Sequence, residues 1–182
     1  MAGPHSASAA RDTVRATVGG QLHARDIEVL FDYSYAATRI ILNAAERVTN
    51  DQWLAEPPLA GANSLQHILV HMLDCEQGWR ENLRASRRDA SPELDLADFP
   101  TVASLASAWR ADEQVMRAWL STFDDAAVNS SAYNGLQFWQ CLVHVVNHST
   151  QHRSEAAMIL THFGHSPGDL DFTFYFRGFS DD

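Results

Sequence analysis

Glycine and proline are sparse in this sequence, 9 and 6 of its 182 residues, and they gather mostly between the apolar stretches. That scarcity disfavours many short strands joined by frequent turns and favours long helices. Cysteine is scarcer still, with only Cys75 and Cys141, both inside helix-like apolar runs. Two cysteines make no disulfide framework. A single bridge stays open as an alternative to two reduced, buried thiols in a cytosolic protein. Basic residues are also few: 13 Lys and Arg face 23 Asp and Glu, a formal net charge of −10. Such a surface repels phosphate backbones and anionic headgroups, so neither nucleic acid nor a membrane surface is expected as a partner. The densest basic cluster, Arg84, Arg87 and Arg88, reads as a solvated helix end. No stretch approaches the ~20 apolar residues that span a bilayer, and residues 1–20 lack the apolar core of a secretory signal. A cytoplasmic location is therefore expected. Also missing are a glycine-rich phosphate loop, a CxxC pair and a GxSxG elbow. Nucleotide, iron–sulfur and serine-hydrolase chemistry are left without support.

What remains is 46% apolar and 20% charged, a globular composition long enough for one domain with a real core. Residues 1–20, rich in Ala, Ser, Gly and Thr, are expected to form a flexible tail before a single domain over 21–182. Four long helices are predicted, at about 23–48, 64–85, 101–123 and 136–163. In the first, Ile27, Leu30, Phe31, Ser34, Tyr35, Thr38, Ile41, Leu42 and Ala45 recur at three- and four-residue steps, the mark of one helix face. Asn63 or Ser64 can cap the second and Thr101 the third, although Glu is missing from the latter's capping-box position. Gly164 ends the fourth, and Pro167 and Gly168 follow it. The 15 residues of 86–100 read as a long connection. Extended, they reach roughly 50 Å, more than the ~30 Å of a 20-residue helix, so the second and third helices can run parallel. The aromatic tail DLDFTFYFRGFSDD is expected to pack on the helices. The five tryptophans, Trp53, Trp79, Trp109, Trp119 and Trp139, read as core or interface residues.

Histidine is abundant, nine in all, and five fall in two clusters. The fourth helix carries His144, His148 and His152 in HVVNHSTQH, and the second carries His67 and His71. Residues four apart lie ~40° apart around a helix and ~6 Å along it, so their side chains project together. His71, His148 and His152 border the apolar stripes, while His67 and His144 turn further toward solvent. Three histidines on two helices can thus converge on one divalent ion and leave an open position, the pattern of a reactive rather than a structural site. Ordinary surface histidines on a structural bundle are the plainer alternative. His5, His23, His162 and His165 read as exposed. Cys75, four residues after His71, is either a thiolate ligand or a small buried hydrophobe. Glu76 and Arg153 occupy the centres of their helices' apolar stripes. Neither charge should be buried alone, so they are expected to pair.

The strings SLQHILVHMLDCEQGW and LVHVVNHSTQHRSEAAMIL, with the run GHSPGDLDFTFYF behind them, resemble the DinB-like (YfiT-like) metalloenzymes. The resemblance covers about residues 23–176. It implies an all-α, up-down-down-up four-helix bundle with its long connection between the second and third helices. It implies a metal triad at His71, His148 and His152, with His144 a frequent extra histidine that is not a ligand. It also implies a zinc, nickel or iron ion, a possible homodimer, and a small-molecule or thiol substrate for a hydrolase or thiol S-transferase. The alternative is a non-catalytic metal-binding or stress-related scaffold. Two positions depart from the pattern: Gln151 stands where many relatives have His or Tyr, and Ser154-Glu155 replaces a usual Gly-Gln pair. Glu155, one turn past His152, is the nearest acid in sequence that can accept a proton, and an exposed carboxylate is its alternative reading.

Overall fold

The structure, a computed structural model, describes residues 21–58, 61–88, 93–133 and 135–178. The tail expected at 1–20 lies outside the described residues. Among those described, every regular element is helical. The four long helices are α1 (Ala24–Ala45), α3 (Leu65–Ala85), α4 (Val102–Leu120) and α6 (Phe138–His162). Three short ones accompany them: α2 (Asn50–Leu54), α5 (Asp125–Val128) and α7 (Phe172–Tyr175).

The chain marks its own helix ends. Ser64 accepts from the His67 amide at 3.1 Å and starts α3. Thr101 accepts from the Ser104 amide at 3.2 Å, and Ser104 returns the bond to the Thr101 amide, so a serine fills the capping-box position where Glu is missing. At the end of α6, Gly164 adopts φ 82°. The amides of Gly164 and His165 bond back to Thr161 and Leu160, a Schellman close that needs this left-handed residue. Thr49 and Gln52 form a capping box that starts α2, a helix not expected from periodicity.

The apolar faces meet in one core. α6 packs on α1 and α3, and α4 packs on the same two helices. Phe31, Ile41, Leu69, Met72, Leu105, Met116, Ile159 and Leu160 are buried between them. Trp53 and Trp109 join this core, while Trp79, Trp119 and Trp139 are half-buried at its edge. Part of the 86–100 connection lies against α3: Asp74 accepts from the Leu94 amide at 2.8 Å, and Gln66 donates to the Leu96 and Phe99 carbonyls. The described part of the aromatic tail packs on α1 in part, while Phe176 is 64% exposed and residues 179–182 lie outside the described residues. Tyr33 donates to the Leu170 carbonyl at 2.8 Å, and its ring meets Phe172 edge-on with centroids 4.9 Å apart.

The core also holds charge. Glu76 and Arg153 are both 1% exposed. The expected direct pair between them is absent, which corrects the sequence expectation. Nearer hydroxyls reach each of them first. Tyr35 donates to Glu76 at 2.6 Å, and Arg153 donates to the Ser34 and Thr150 hydroxyls at 2.8 Å each, with its guanidinium over the Tyr33 ring. An ion pair not foreseen in the sequence joins Arg80 to Asp112 through two bonds of 2.8 and 2.7 Å, both residues being buried. Its bidentate geometry is the form in which a buried pair best offsets desolvation.

Burial pushes the Glu76 carboxyl up to about 8 from an ordinary 4.5, against the opposing pull of the Tyr35 hydrogen bond. An acid whose pKa rises on folding holds its proton more tightly in the native state. Its contribution is therefore complete below pH 4.5 and is lost as pH climbs through 8. Glu76→Gln removes that titration. The stability of the parent relative to the variant should fall between pH 4.5 and 8 by a few kcal/mol, since each tenfold change in proton affinity is worth roughly 1.4 kcal/mol. Urea unfolding of both proteins across this range measures it, and a pH-independent difference would mean that Glu76 is ionised throughout.

Candidate metal centre

α3 presents His71 toward α6, and α6 answers with His148 and His152, four residues apart on one face. The ring centroid of His71 lies 5.1 Å from that of His148 and 4.9 Å from that of His152. One nitrogen from each of the three rings lies within 4.8 Å of the others. The Nε2 atoms of His148 and His152 are 3.1 Å apart. An ion held tetrahedrally at ~2.0–2.1 Å from two imidazoles sets their nitrogens roughly 3.3 Å apart, so the observed spacing fits a shared ion.

All three rings are half-buried, and for two of them burial sets the protonation. Desolvation, followed by repulsion from His152, lowers the His148 pKa to about 4. The same causes in the same order lower that of His71. At neutral pH these two rings are therefore uncharged and offer lone pairs. His152 has a further control. Its Nδ1 lies 2.7 Å from Oε2 of Glu155. A carboxylate there draws the ring proton to Nδ1 and leaves Nε2 bare, as in the carboxylate–histidine pairs behind many metal sites. Glu155 is thus engaged with His152 rather than standing free as an exposed acid. Gln151, the other departure from the resembled pattern, reaches toward Oε1 of Glu155 at 3.4 Å.

Of the remaining histidines, His144, His67, His23 and His162 are exposed as expected, whereas His165 is not. His144 is exposed and packs on Trp79, with centroids 5.1 Å apart, and His67 is exposed one turn before His71. His23 is exposed and bonds Asp125 at 2.7 Å, and His162 is exposed beside Phe163. His165 is half-buried, and His5 lies outside the described residues. Cys75 brings its Sγ to 3.6 Å from Nε2 of His71. Burial pushes that thiol up to about 11 in the metal-free chain, and the convergent group of ligand atoms comprises the three histidines without it. Cys141 is buried, and neither cysteine forms a disulfide. Among the described residues, no fourth His, Cys, Asp or Glu joins the group. The chemistry of this donor set, three imidazoles with a carboxylate behind one of them, suits a divalent ion.

The DinB family model matches residues 21–179 of the chain. The chain belongs to the DinB family. No curated protein matches it. As a DinB member it carries its histidine cluster on two long helices of an all-helical fold, and no helix among the described residues is long and apolar enough to cross a membrane.

In this DinB chain, His148→Ala or His152→Ala should abolish stoichiometric metal binding, and His71→Ala should weaken it strongly. His144→Ala and His67→Ala should leave it nearly unchanged. Loss of the hydrogen bond behind His152 in Glu155→Ala should weaken affinity by roughly 10- to 100-fold. Competition titration with a chromogenic chelator measures all six. Loss of the metal in His144→Ala with retention in His71→Ala would assign the site to the wrong rings.

Proposed function

We propose that this DinB chain is a metal-dependent enzyme acting on a small molecule, by hydrolysis or by transfer of a low-molecular-weight thiol. Its ligands are His71, His148 and His152, and its ion is zinc, nickel or iron, all of which suit imidazole nitrogen. The observation that carries this reading is the convergence of three ring nitrogens within 4.8 Å with no fourth donor among the described residues. A divalent ion bound there supplies Lewis acidity to a water, thiol or carbonyl that enters its open position.

The chain's own groups do the rest. His71 and His148 are kept neutral by burial, so they bring lone pairs rather than charge. Glu155 holds Nδ1 of His152 while Nε2 of the same ring faces Nε2 of His148. The Cys75 thiol lies beside the cluster, with its Sγ 3.6 Å from Nε2 of His71.

This reading includes a YfiT-like four-helix bundle of up-down-down-up sense formed by residues 21–182. Contacts between the long helices support it. Arg39–Glu113 and Asp32–Arg117 link α1 to α4 in opposite directions. Trp79–His144 and His71–His152 do the same for α3 and α6. Gln66 to the Phe99 carbonyl, just before α4, and Arg80–Asp112 within it run along α3 and α4 in the same direction. Two cysteines that form no disulfide are consistent with a reducing, cytoplasmic setting, and the net charge of −10 disfavours nucleic acid as a partner. A homodimer completes the proposal.

Two generic reactions test the activity: hydrolysis of p-nitrophenyl acetate, and conjugation of cysteine to a chlorodinitroarene. Metal-loaded protein should accelerate one of them, and chelation or His152→Ala should return that rate to background. Bound metal with no metal-dependent change in either rate would favour the non-catalytic scaffold.

A further inference from the structure

On the far side of α6 from the histidines lies a cavity of about 790 Å³. Tyr33 of α1, Thr150, Arg153 and Ser154 of α6, and Leu170 and Phe172 of the following segment contribute to its wall. Thr150, Arg153, Ser154 and Ala157 occupy a face of α6 turned well away from His148, His152 and Glu155, as ~100° per residue dictates. The volume falls within the roughly 300–1,000 Å³ of small-molecule sites.

We propose that this cavity binds a small monocarboxylate with an apolar body, held by Arg153. The guanidinium lies over the Tyr33 ring, 5.4 Å from its centroid, and donates to Thr150, so both of these neighbours line the cavity with it. Its hydrogen bonds go to the Ser34, Thr38 and Thr150 hydroxyls and the Ser34 carbonyl, with the Tyr33 side chain a further partner, and none goes to a carboxylate. Glu76 acts on it only at longer range, and burial favours the neutral form of that acid. A buried cation without a contacting anion is costly. A ligand carboxylate entering through the cavity supplies the missing charge in a charge-assisted hydrogen bond. Tyr33, Leu170, Phe172 and Ala157 offer apolar surface for the ligand's body. Asp169 and Asp171 add negative charge to the same wall, which disfavours phosphates and other multiply charged anions.

The test is calorimetric titration of the full chain, treated with chelator so that no metal competes, with phenylacetate, phenylacetamide and benzylphosphonate. Phenylacetate should bind saturably and about tenfold more tightly than either of the others. Ser154→Trp, which plugs the mouth from an exposed position, should abolish binding, and Arg153→Gln should weaken it about tenfold or more. Amide resonances of Thr150, Ala157 and Leu170 should shift. No saturable binding, equal affinity for the amide, undiminished binding by Ser154→Trp, or shifts centred on His71 and His148 would each overturn the proposal. Should Arg153→Gln fail to fold, the amide comparison and Ser154→Trp decide the question.

Discussion

Two helices here hold three imidazole nitrogens within 4.8 Å of one another. Charged rings at that spacing would repel strongly, and half-burial strips away the water that would screen them. For His71 and His148 desolvation favours the neutral form, which is the form that can ligate. The position of His71 on α3 against His148 and His152 on α6 depends on the packing of those helices, and that depends on the apolar stripes beneath. The site and the core are in this sense one construction. The residues that seal the core leave the rings at its border, half in water and half out.

The interior is not purely apolar, and its polar groups are tied to particular neighbours. Arg80 holds Asp112 across α3 and α4, Tyr35 of α1 holds Glu76 of α3, and Ser34 of α1 holds Arg153 of α6. Each bond links two different long helices at one level. A slide of either helix would leave a buried polar or charged group without its partner, at a cost that apolar contacts alone do not impose. Such ties fix the relative register of the helices, and with it the distance between His71 and the α6 pair.

Much of this was legible in the sequence. Three- and four-residue periodicity located the four long helices, and Ser64, Thr101 and Gly164 marked their ends because capping is local chemistry. The four-residue histidine spacing, with each ring's place beside a stripe, picked out the three that converge and set His144 and His67 aside. The partners of the buried charges were harder to read. Ser34, Tyr35 and Thr38 sit on the apolar face of α1, and they prove to be the groups that satisfy Glu76 and Arg153. Polar residues inside a stripe were the available signal. Asp112 and Arg80 carried the same signal, lying in step with Trp109 and Met116 and with Met72 and Leu83, yet periodicity does not say which helix faces which. The short α2 was announced by the Thr49–Gln52 spacing but is too brief for a periodic pattern. The bond from Glu155 to His152 was out of reach, because a three-residue spacing permits the contact without requiring it.

The central claim is that His71, His148 and His152 share one ion and leave it a free coordination position. X-ray absorption on untagged, metal-loaded protein tests this directly, with elemental analysis giving the stoichiometry. The account predicts one divalent ion per chain, three imidazole nitrogens at the ~2.0–2.1 Å typical of zinc, and one further light atom that a soaked thiol replaces with sulfur at ~2.3 Å. A chain that holds no ion, or an ion enclosed by four protein ligands that no thiol displaces, would contradict it.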